Sequence, residues 1–401
     1  MSSWLSDIRF GLRLLRRTPE VTAVAILAMA IAIGVAGTVF SVTNAILIQP
    51  LPFSEPNRLV AIWQVDPANA ATWRPAAPGN YVDWQRLSQS FEKSGAAVNI
   101  SKTLTSFDEP DTPLMQTVSS GYFETLGVQP ILGRTFAPEE DRPGARAVMV
   151  MSYELWQRRF DGDRSILGRN TELDGVPYEV IGVMPAGFDN PIFGLTVRPE
   201  AWIPLALTES GLDRRGNDHV VVARLRTGVT LGEAQQELTR ISDELKQQYP
   251  DTNQNIAAHV APLKESVVRG VRPAVLLLMC AVIFVLLIAS SNVAHLLLTR
   301  SVGREREFAV RRALGAGAGR LLRQLVIESL LLMMMCAVPG FLLTIWGTET
   351  VGLLIPSGLN IPQFDFQVDR NVILFSLAVS VLPGIFLGLI PALYARRVSI
   401  V

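Results

Sequence analysis

Four long apolar stretches alternate with polar segments along the chain. They cover residues 21–48, 273–299, 321–346 and 372–394. The first and the last contain no charged residue, the second has His295 as its only ionisable side chain, and the third has Glu328 within its apolar run. About 20 mostly apolar residues are needed to cross the hydrocarbon of a bilayer. Each stretch therefore predicts a transmembrane helix.

The first stretch has two interpretations, a retained helix and a cleaved signal peptide. Arg9, Arg13, Arg16 and Arg17 precede it, as the basic region of a signal peptide would. The apolar region of a signal peptide has only about 7–15 residues, and this stretch is about twice as long. No small-x-small cleavage pattern follows it before Pro50. These features favour a retained helix.

The distribution of arginine predicts the orientation of the helices. Short segments rich in Lys or Arg stay on the cytoplasmic side. Such segments are the N-terminus, the connection between the second and third stretches, and the C-terminus with Arg396 and Arg397. Four spans place all three on one side, so we expect cytoplasmic termini and an external domain between the first and second spans.

Residues 1–20 are predicted to form a cytoplasmic amphipathic helix. Trp4, Leu5, Ile8, Leu12 and Leu15 share one narrow helical face, and the arginines lie beside or opposite it. Such a helix lies in the interface of the inner leaflet. A basic tail that only sets the topology is the alternative.

Residues 49–270 are predicted to form the external α+β domain. The segments 55–118 and 218–268 each read as strand, helix and strand. The predicted strands are Leu59–Val65, Gly95–Leu104, His219–Arg226 and Ile256–Leu263. Asn80 is the expected N-cap of the first helix, and Thr230 with Glu233 forms a capping box that opens the second. Two such halves indicate a porter-like domain with a ferredoxin-like split βαβ layout.

A β-rich subdomain, residues 119–217, is predicted to be inserted into that layout. Its expected elements are a strand at Ala147–Met151, an amphipathic helix at Tyr153–Phe160, and a hairpin whose two-residue turn is Asp174-Gly175. After the third apolar stretch, the Gly- and Pro-broken segment Gly347–Pro362 predicts a re-entrant or interfacial elbow. The expected fold class is a membrane α+β protein with four transmembrane helices.

The composition excludes several kinds of chemistry. Hydrophobic residues make up 49% of the chain and the formal net charge is zero, so nothing indicates nucleic-acid binding. The lysines are Lys93, Lys102, Lys246 and Lys264, and none stands in the Gly-Lys-Ser/Thr context of a P-loop. Cys280 and Cys336 lie inside predicted spans, so we expect no disulfide in the external domain.

Histidines offer little support for a metal or catalytic site. His219, His259 and His295 are far apart in sequence, and none stands at ligand spacing. His219 and His259 could still face each other on paired strands. We expect neither a metal centre nor a catalytic site.

Two ionisable residues, His295 and Glu328, lie inside predicted spans. Such residues are candidates for a functional role, here a proton pathway. Both lie near the cytoplasmic end of a span, where a side chain can extend to water. That second interpretation is favoured.

The segment between the second and third stretches combines charge with helical order. Within residues 301–314, Glu307 and Arg311 form a favourable i,i+4 pair. Phe308, Ala309 and Ala313 add a small apolar face, and glycines from Gly315 onward end the helix. A charged helix held between two spans can pass force to a soluble partner. A solvated basic loop is the alternative.

The chain resembles a known family over nearly its whole length. The segment SSNVAHLLLTRSVGREREFAVRRALGAGAGRLLRQLVIESLLL is similar to the FtsX-like permease domain, which would cover residues 271–401. The segments GYFETLGVQPILGRTF, ELWQRRFDGDRSILGR, DGVPYEVIGVMPAGF and VARLRTGVTLGEAQQEL look like the MacB-type periplasmic core. The N-terminal segment DIRFGLRLLRRTPEVTAVAILAMAIAIGVAGTVFSVTNAILIQPLPF looks like the duplicated orphan permeases of acidobacterial type, of which this chain would be one half.

This resemblance implies a mechanotransmission (type VII) ABC permease of the bacterial inner membrane, with its large domain in the periplasm. Such a subunit is no enzyme and holds no cofactor, because ATP binds to a partner, a cytoplasmic ATPase dimer. Its other partners are a second permease protomer, identical or not, the lipid bilayer, and in some systems a periplasmic adaptor. The coupling helix that binds the ATPase would contain Arg304, Glu305, Arg306, Glu307, Phe308, Arg311, Arg312 and Leu314.

Two functions are compatible with the resemblance. Efflux or extrusion of periplasmic substrates is favoured, because FtsX-like transducers, which control cell-wall hydrolases, have smaller external domains. MacB itself carries its ATPase on the same chain, and duplicated orphan permeases contain a second copy of this unit. A non-autonomous half of a duplicated permease is therefore a further alternative. His295 stands where relatives usually have asparagine.

Overall fold

Long apolar helices and one extended β-sheet make up the computed structural model, which describes residues 19–106, 111–188, 198–302, 318–354 and 368–397, with Arg9 and Arg13. In chain order the helices are α1 (Pro19–Thr43), α2 (Pro78–Leu87), α3 (Tyr122–Leu126), α4 (Tyr153–Phe160), α5 (Leu231–Gln248), α6 (Pro250–Asn253), α7 (Leu263–Val268), α8 (Arg272–Val302), α9 (Ala318–Leu354) and α10 (Arg370–Arg397). The strands are β1 (Leu59–Asp66), β2 (Asn69–Arg74), β3 (Phe91–Ser101), β4 (Leu114–Val118), β5 (Leu132–Gly133), β6 (Val148–Met151), β7 (Asn170–Leu173), β8 (Val176–Val183), β9 (Ala201–Pro204), β10 (Val220–Leu225) and β11 (Ala257–Pro262).

These elements belong to two units. The apolar unit, drawn from Met1–Gln49, Val271–Ile355 and Asp365–Val401, contains α1, α8, α9 and α10. The sheet unit, drawn from Pro50–Gly270 and Pro356–Phe364, contains the strands and the shorter helices. The amphipathic helix predicted for residues 1–20 lies almost entirely outside the described residues.

Three helices of the apolar unit are long and apolar enough to cross a membrane. Among the described residues these are Thr22–Ile48, Arg272–Leu296 and Val326–Val351. They coincide with three of the predicted spans. The fourth predicted span falls in α10, where the apolar helix that can be described, Arg370–Phe386, is shorter. A fourth crossing therefore stays a prediction.

Helix α9 is longer than the sequence indicates. It continues through Gly347 to Leu354, so the prediction of an elbow that begins at Gly347 is wrong. Gly347 is the position at which α9 packs against Thr38 of α1: a Cβ atom there would lie 2.3 Å from Thr38 Oγ1. The glycine therefore permits a close helix contact and does not end the helix. The rest of the predicted elbow, from residue 355, lies outside the described residues.

The sheet begins with four antiparallel strands in the order β11–β1–β10–β3. Helix α2 lies in the chain between β1 and β3, and α5 lies between β10 and β11. If β1, β3, β10 and β11 are numbered 1 to 4 in chain order, their order in the sheet is 4-1-3-2. Both helices pack on one face of these strands.

The same sheet continues through the segment that was predicted to be an insertion. Strand β3 pairs with β4, and the path then runs through β9, β6 and β8 to β5, while β7 pairs with β8. The β4–β9 and β6–β8 pairs are parallel. The strands of residues 119–217 thus extend the first sheet, and the boundaries of a separate subdomain stay a prediction.

Two apolar clusters hold helices against this sheet. In the first, Trp84 of α2 and Leu238 of α5 pack against Val221 of β10. In the second, Trp156 of α4 packs near Met149 of β6. Burial of one large apolar side chain stabilises a fold by about 1.5–3 kcal/mol. The sheet unit thus has its own apolar core on both halves of the sheet.

Local signals in the sequence predicted several elements correctly. Thr230 and Glu233 form the capping box of α5, and α4 has the predicted bounds. Asp174 and Gly175 have φ values of 52° and 76° between β7 and β8. Two consecutive positive φ values are those of a type I′ hairpin turn.

The predicted start of α2 was wrong by three residues. The helix begins at Pro78, and Asn80 lies inside it instead of capping it. Proline is well suited to the first helical position, because its φ is preset and it has no N–H to satisfy. The side chain of Asn80 is free for tertiary contacts: its Oδ1 accepts hydrogen bonds from Arg214 Nη1 at 2.7 Å and from Asn253 Nδ2 at 2.9 Å.

His219 and His259 do not face each other. Strand β1 lies between β10 and β11, so the expected pairing of their strands is wrong. His219 Nδ1 lies 2.7 Å from Asp218 Oδ1. His259 lies opposite Trp63 in the sheet, and its ring centroid is 4.6 Å from that of Trp73.

His259 makes the stability of the sheet unit depend on pH. Burial lowers its pKa, nearby Arg269 acts in the same direction, and Glu265 opposes both. The neutral imidazole is therefore favoured in the folded state. The contribution of neutral His259 to folding stability is complete above the pKa of about 6.5 that it has in the unfolded chain. This contribution is lost as the pH falls through the lower pKa of the folded state. We expect the urea midpoint, followed by tryptophan fluorescence, to fall between pH 7 and pH 5, and less so for His259→Gln.

Glu233→Gln is the matched control for this measurement. A hydrogen bond from the Thr230 backbone lowers the pKa of Glu233, so this carboxylate stays charged throughout that pH range. The Glu233→Gln chain should have a lower urea midpoint at every pH, and its midpoint should change with pH as much as that of the wild type. If the urea midpoint of the His259→Gln chain falls with pH as much as that of the wild type, a group other than His259 causes the pH dependence.

Candidate functional site

The predicted coupling residues lie outside the described residues, which leave a gap at residues 303–317. They are Arg304, Glu305, Arg306, Glu307, Phe308, Arg311, Arg312 and Leu314. The helices on either side are described: α8 leads to this segment and α9 follows it. The assignment of these residues to an ATPase contact stays a prediction.

The two ionisable residues inside predicted spans have different environments. The side chain of His295 is exposed on α8. Glu328 is only 5% exposed on α9, next to Ser329 at 3%. The expectation that Glu328 extends to water is therefore wrong, because its side chain is buried.

Helices α1 and α9 approach each other through glycines. A Cβ atom at Gly34 of α1 would lie 2.5 Å from Leu343 Cβ, and one at Gly37 would lie 2.2 Å from Thr344 Oγ1. On the other side, a Cβ atom at Gly340 would lie 2.8 Å from Ile33 Cβ. We call Gly34, Gly37, Gly340 and Gly347 the glycine seam. Real Cβ atoms do not come this close to other atoms, so each of these positions requires glycine.

Thr344 fills the space that the glycine seam leaves. Its side chain is fully buried, and its Oγ1 donates to Gly340 O at 3.1 Å within α9. The same oxygen lies 3.5 Å from Gly34 O across the interface. Helices in a bilayer gain no hydrophobic energy from association, since lipid tails are as apolar as leucine, so close packing and hydrogen bonds hold them together. The seam is the tightest described contact of this kind in the apolar unit.

A polar cluster joins α1 to α10. Asn44 is fully buried, in the π-helical turn Asn44–Ile48 that follows α1. Its Nδ2 donates to Asp369 Oδ2 at 2.8 Å, and its Oδ1 accepts from Asn371 Nδ2 at 3.0 Å. Gln49 Nε2 also donates to Asp369 Oδ2, at 3.2 Å. Asp369 Oδ1 accepts from Val372 N at 2.9 Å and so caps α10.

Stacked aromatic rings extend the contact between α1 and α10. Phe40 lies four residues before Asn44, and Phe375 lies four residues after Asn371, so each pair shares a helix face. The two rings are 4.0 Å apart between centroids and nearly parallel, at 3°. The glycine seam and the Asn44–Asp369 cluster together fix α1 against both α9 and α10.

In the sheet unit, ionic contacts fix the segment that enters from α1. Arg224 of β10 is 5% exposed and donates through Nε and Nη2 to Thr125 O, at 3.1 Å and 2.9 Å. Its Nη1 lies 3.6 Å from Glu55 Oε2. Arg58 Nε donates to Leu225 O at 2.9 Å, and Arg58 Nη1 contacts Glu55 at 2.7 Å. Burial lowers the pKa of Arg224, although Glu55 opposes this.

Within the described ranges, no three His, Cys, Asp or Glu side chains come together as a metal ion would require. Cys280 is exposed and Cys336 is buried, both as free thiols. The contacts of the site are thus helix packing, hydrogen bonds and ion pairs.

Sequence reasoning missed most of these residues. Paired glycines three residues apart in the first apolar helix, Gly34 and Gly37, are a detectable signal for close helix packing. Asn44 and Asp369 are separated by 325 positions, and no local pattern links them. A fully buried arginine such as Arg224 is also indistinguishable by pattern from the exposed Arg226 in the same strand region.

Two family models match the chain. Residues 22–241 match the MacB-like periplasmic core domain, and residues 279–400 match the FtsX-like permease C-terminal domain. The arrangement is that of a membrane permease component of ABC transporters. The chain belongs to the MacB/FtsX-like permease family.

Two relatives are named as ATP-binding/permease proteins. The macrolide export ATP-binding/permease protein MacB of Burkholderia thailandensis is 24% identical over 286 residues, which are 71% of this chain and 42% of that protein. MacB of Escherichia coli K12 is 24% identical over 282 residues, which are 70% of this chain and 42% of that protein. The chain thus spans less than half the length of these relatives.

Solved structures of external domains are also similar. The extracellular domain of the noncanonic ABC-type transporter YknZ from Gram-positive bacteria is 19% identical, with a TM-score of 0.36, over 51% of this chain and 99% of that domain. The periplasmic region of MacB from Actinobacillus actinomycetemcomitans is 13% identical, with a TM-score of 0.37, over 52% of this chain and 90% of that region.

Substitution in the glycine seam should separate α1 from α9. Gly37→Ala places a methyl group where Thr344 Oγ1 already lies, and overpacking of this kind costs about 1–3 kcal/mol. We expect a lower thermal midpoint of the detergent-solubilised chain, and a similar loss for Gly340→Ala. The control is Val35→Ala, which removes an exposed apolar side chain of α1 and should change little. Unchanged midpoints for both glycine variants would contradict the close approach.

Asn44 and Asp369 should be energetically coupled. Asp369→Ala removes a cap and leaves the buried Asn44 amide without its acceptor, which costs about 1–3 kcal/mol. Asn44→Ala removes a donor from the same carboxylate. A double-mutant cycle should therefore give a coupling energy of at least about 0.5 kcal/mol. Strict additivity of the two single losses would show that the hydrogen bond contributes nothing.

Proposed function

We propose that this chain is the permease subunit of an ABC transporter that drives efflux or extrusion of periplasmic substrates. ATP hydrolysis by a separate cytoplasmic ATPase dimer would move the external domain, which is the sheet unit. The chain would work with a second permease protomer in the bacterial inner membrane, with cytoplasmic termini. Family membership supports the permease part of this proposal. The glycine seam and the Asn44–Asp369 cluster support the mechanical part.

The glycine seam is the observation that supports this function best. Helix α9 directly follows the predicted coupling residues, and α1 directly precedes the segment that enters the sheet unit. Gly37 and Gly340 let side chains of the facing helix pack directly on the glycine backbone. A displacement of α9 would therefore carry α1 with it. Loose helices separated by long side chains would absorb such a movement.

The Asn44–Asp369 cluster supports the same mechanism. It holds the last turn of α1 to the first turn of α10 through a fully buried amide. Beyond it, Arg224 and Arg58 fix the segment around Glu55 to β10. Force applied to α1 would therefore reach β10 through short, directional contacts.

The test is whether the chain alters the turnover of an ATPase. The purified chain in lipid nanodiscs is combined with an ABC ATPase encoded next to it, and binding and hydrolysis are measured. We expect binding and a change in turnover for the wild type. The Glu307→Ala/Leu314→Asp double variant should bind at least about tenfold more weakly, which corresponds to about 1.4 kcal/mol.

Arg240→Ala is the matched control, because Arg240 forms an exposed i,i+4 pair with Glu244 on α5, in the sheet unit. It should behave as the wild type in both measurements. If no neighbouring ATPase binds, or if the double variant binds as tightly as the wild type, the coupling proposal is wrong. In cells, loss of toxin tolerance on deletion supports transport, whereas filamentation or lysis in low-salt medium supports a regulatory role.

A further inference from the structure

The β1–β2 hairpin of the sheet unit is joined to α7 by side-chain contacts that the mechanism has not used so far. Trp63 Nε1 donates to Ser266 Oγ at 3.0 Å. The guanidinium carbon of Arg269 lies 3.7 Å from the centroid of the Trp73 ring, and Arg269 Nη2 donates to Ala71 O. We call Trp63, Trp73, Ser266 and Arg269 the hairpin clamp.

These contacts are unusual for such an exposed hairpin. Every residue of β2 except Trp73 is exposed, and the strand pairs with β1 at only a few positions near Val65. Trp73 has aromatic neighbours as well: its ring is 4.6 Å from His259 and 6.2 Å from Trp63 between centroids. An arginine over a tryptophan face is the most favourable cation–π pair. The hairpin is thus held by Ser266 and Arg269 in addition to its own strand pairing.

Helix α7 is the last helix of the sheet unit before α8. Its apolar residues Leu263, Val267 and Val268 are buried against the sheet unit. Only the turn Arg269–Val271 separates α7 from α8, the second apolar helix. Arg269 therefore anchors the hairpin three positions before α8 begins at Arg272. A movement of α8 reaches α7 through three residues of backbone.

We infer that the hairpin clamp is a second route of force transmission, in which α8 moves the sheet through α7 and the β1–β2 hairpin. Arg269 is the positioning residue: it holds Trp73 and the hairpin backbone while α8 pulls on the adjacent turn. This inference rests on the proposed function, because it assigns a mechanical role. It adds a route that does not pass through α1, and it predicts that the two routes can be interrupted separately.

The clamp itself is measured first, without any ATPase. The full chain, with Cys280→Ser and Cys336→Ala, receives spin labels at Ala70→Cys on β2 and Glu265→Cys on α7, and the interlabel distance distribution is recorded in nanodiscs. We expect one narrow distribution for the parent chain and for Trp73→Phe, which keeps an aromatic ring. Arg269→Ala should broaden it, and Arg269→Lys should broaden it less, because lysine keeps the charge without the planar guanidinium.

The mechanical role is measured next, with labels at Ala274→Cys on α8 and Gln236→Cys on α5. In the presence of the partner ATPase, we expect addition of ATP to change this distance in the parent chain. Arg269→Ala should lose most of this change while it still binds the ATPase. Arg226→Ala, which removes an exposed arginine of the same unit, should keep it. Tryptophan fluorescence and the urea midpoint identify any variant that merely unfolds, and Trp73→Ala then tests the clamp from its other side.

The outcomes separate the clamp from the proposed function. A broadened hairpin distance together with a lost ATP response in Arg269→Ala supports the inference. A broadened hairpin distance with an intact ATP response overturns the clamp as a transmission route and leaves the proposed function in place. A narrow hairpin distance in Arg269→Ala shows that there is no clamp. If ATP changes nothing in the parent chain although the ATPase binds, both the proposed function and the mechanical role of the clamp fail.

Discussion

The backbone contact between α1 and α9 is the constraint on which the apolar unit depends. Glycine inside a helix costs about 0.5–1 kcal/mol relative to alanine, and the seam has four of them. That cost is offset only if the two backbones are in contact, since small residues are what allow helices to associate tightly in lipid. Helix α8 lacks such a seam and exposes large apolar side chains such as Leu277 and Phe284. The described unit is therefore a tight α1–α9–α10 group with α8 more loosely attached.

Buried polar groups are satisfied differently in the two units. In the apolar unit, several hydroxyls bond to carbonyls one turn back in their own helix, as Thr344 does with Gly340 and Thr348 with Thr344. The Asn44–Asp369 pair is the exception, and its energetic value comes from the cost of leaving an amide unpaired in a water-poor environment. In the sheet unit, the charge of Arg224 is met by an ion pair with Glu55, and that of Arg269 by a cation–π contact with Trp73.

The proposed mechanism has two routes out of the apolar unit. One would pass along α1 into the segment fixed by Arg224 of β10. The other would pass from α8 into α7 and reach β1 and β2 through Trp63 and Trp73. Strand β1 takes part in both, because it pairs with β10 on one side and β11 on the other.

The sequence alone determined the features that depend on neighbouring residues. Apolar length located three helices that can cross a membrane, the Thr230–Glu233 box started α5, and Asp174-Gly175 made the β7–β8 turn, because capping and turn geometry involve only a few consecutive residues. Motifs along the chain also indicated the family. The sequence could not tell that Gly347 continues α9 or that Asn80 lies inside α2, since a glycine that breaks a helix and one that contacts a neighbour look alike locally. Only the tertiary structure decided that β1 separates His219 from His259, that Glu328 is covered, and that Asn44 meets Asp369, because these facts depend on which distant segments pack together.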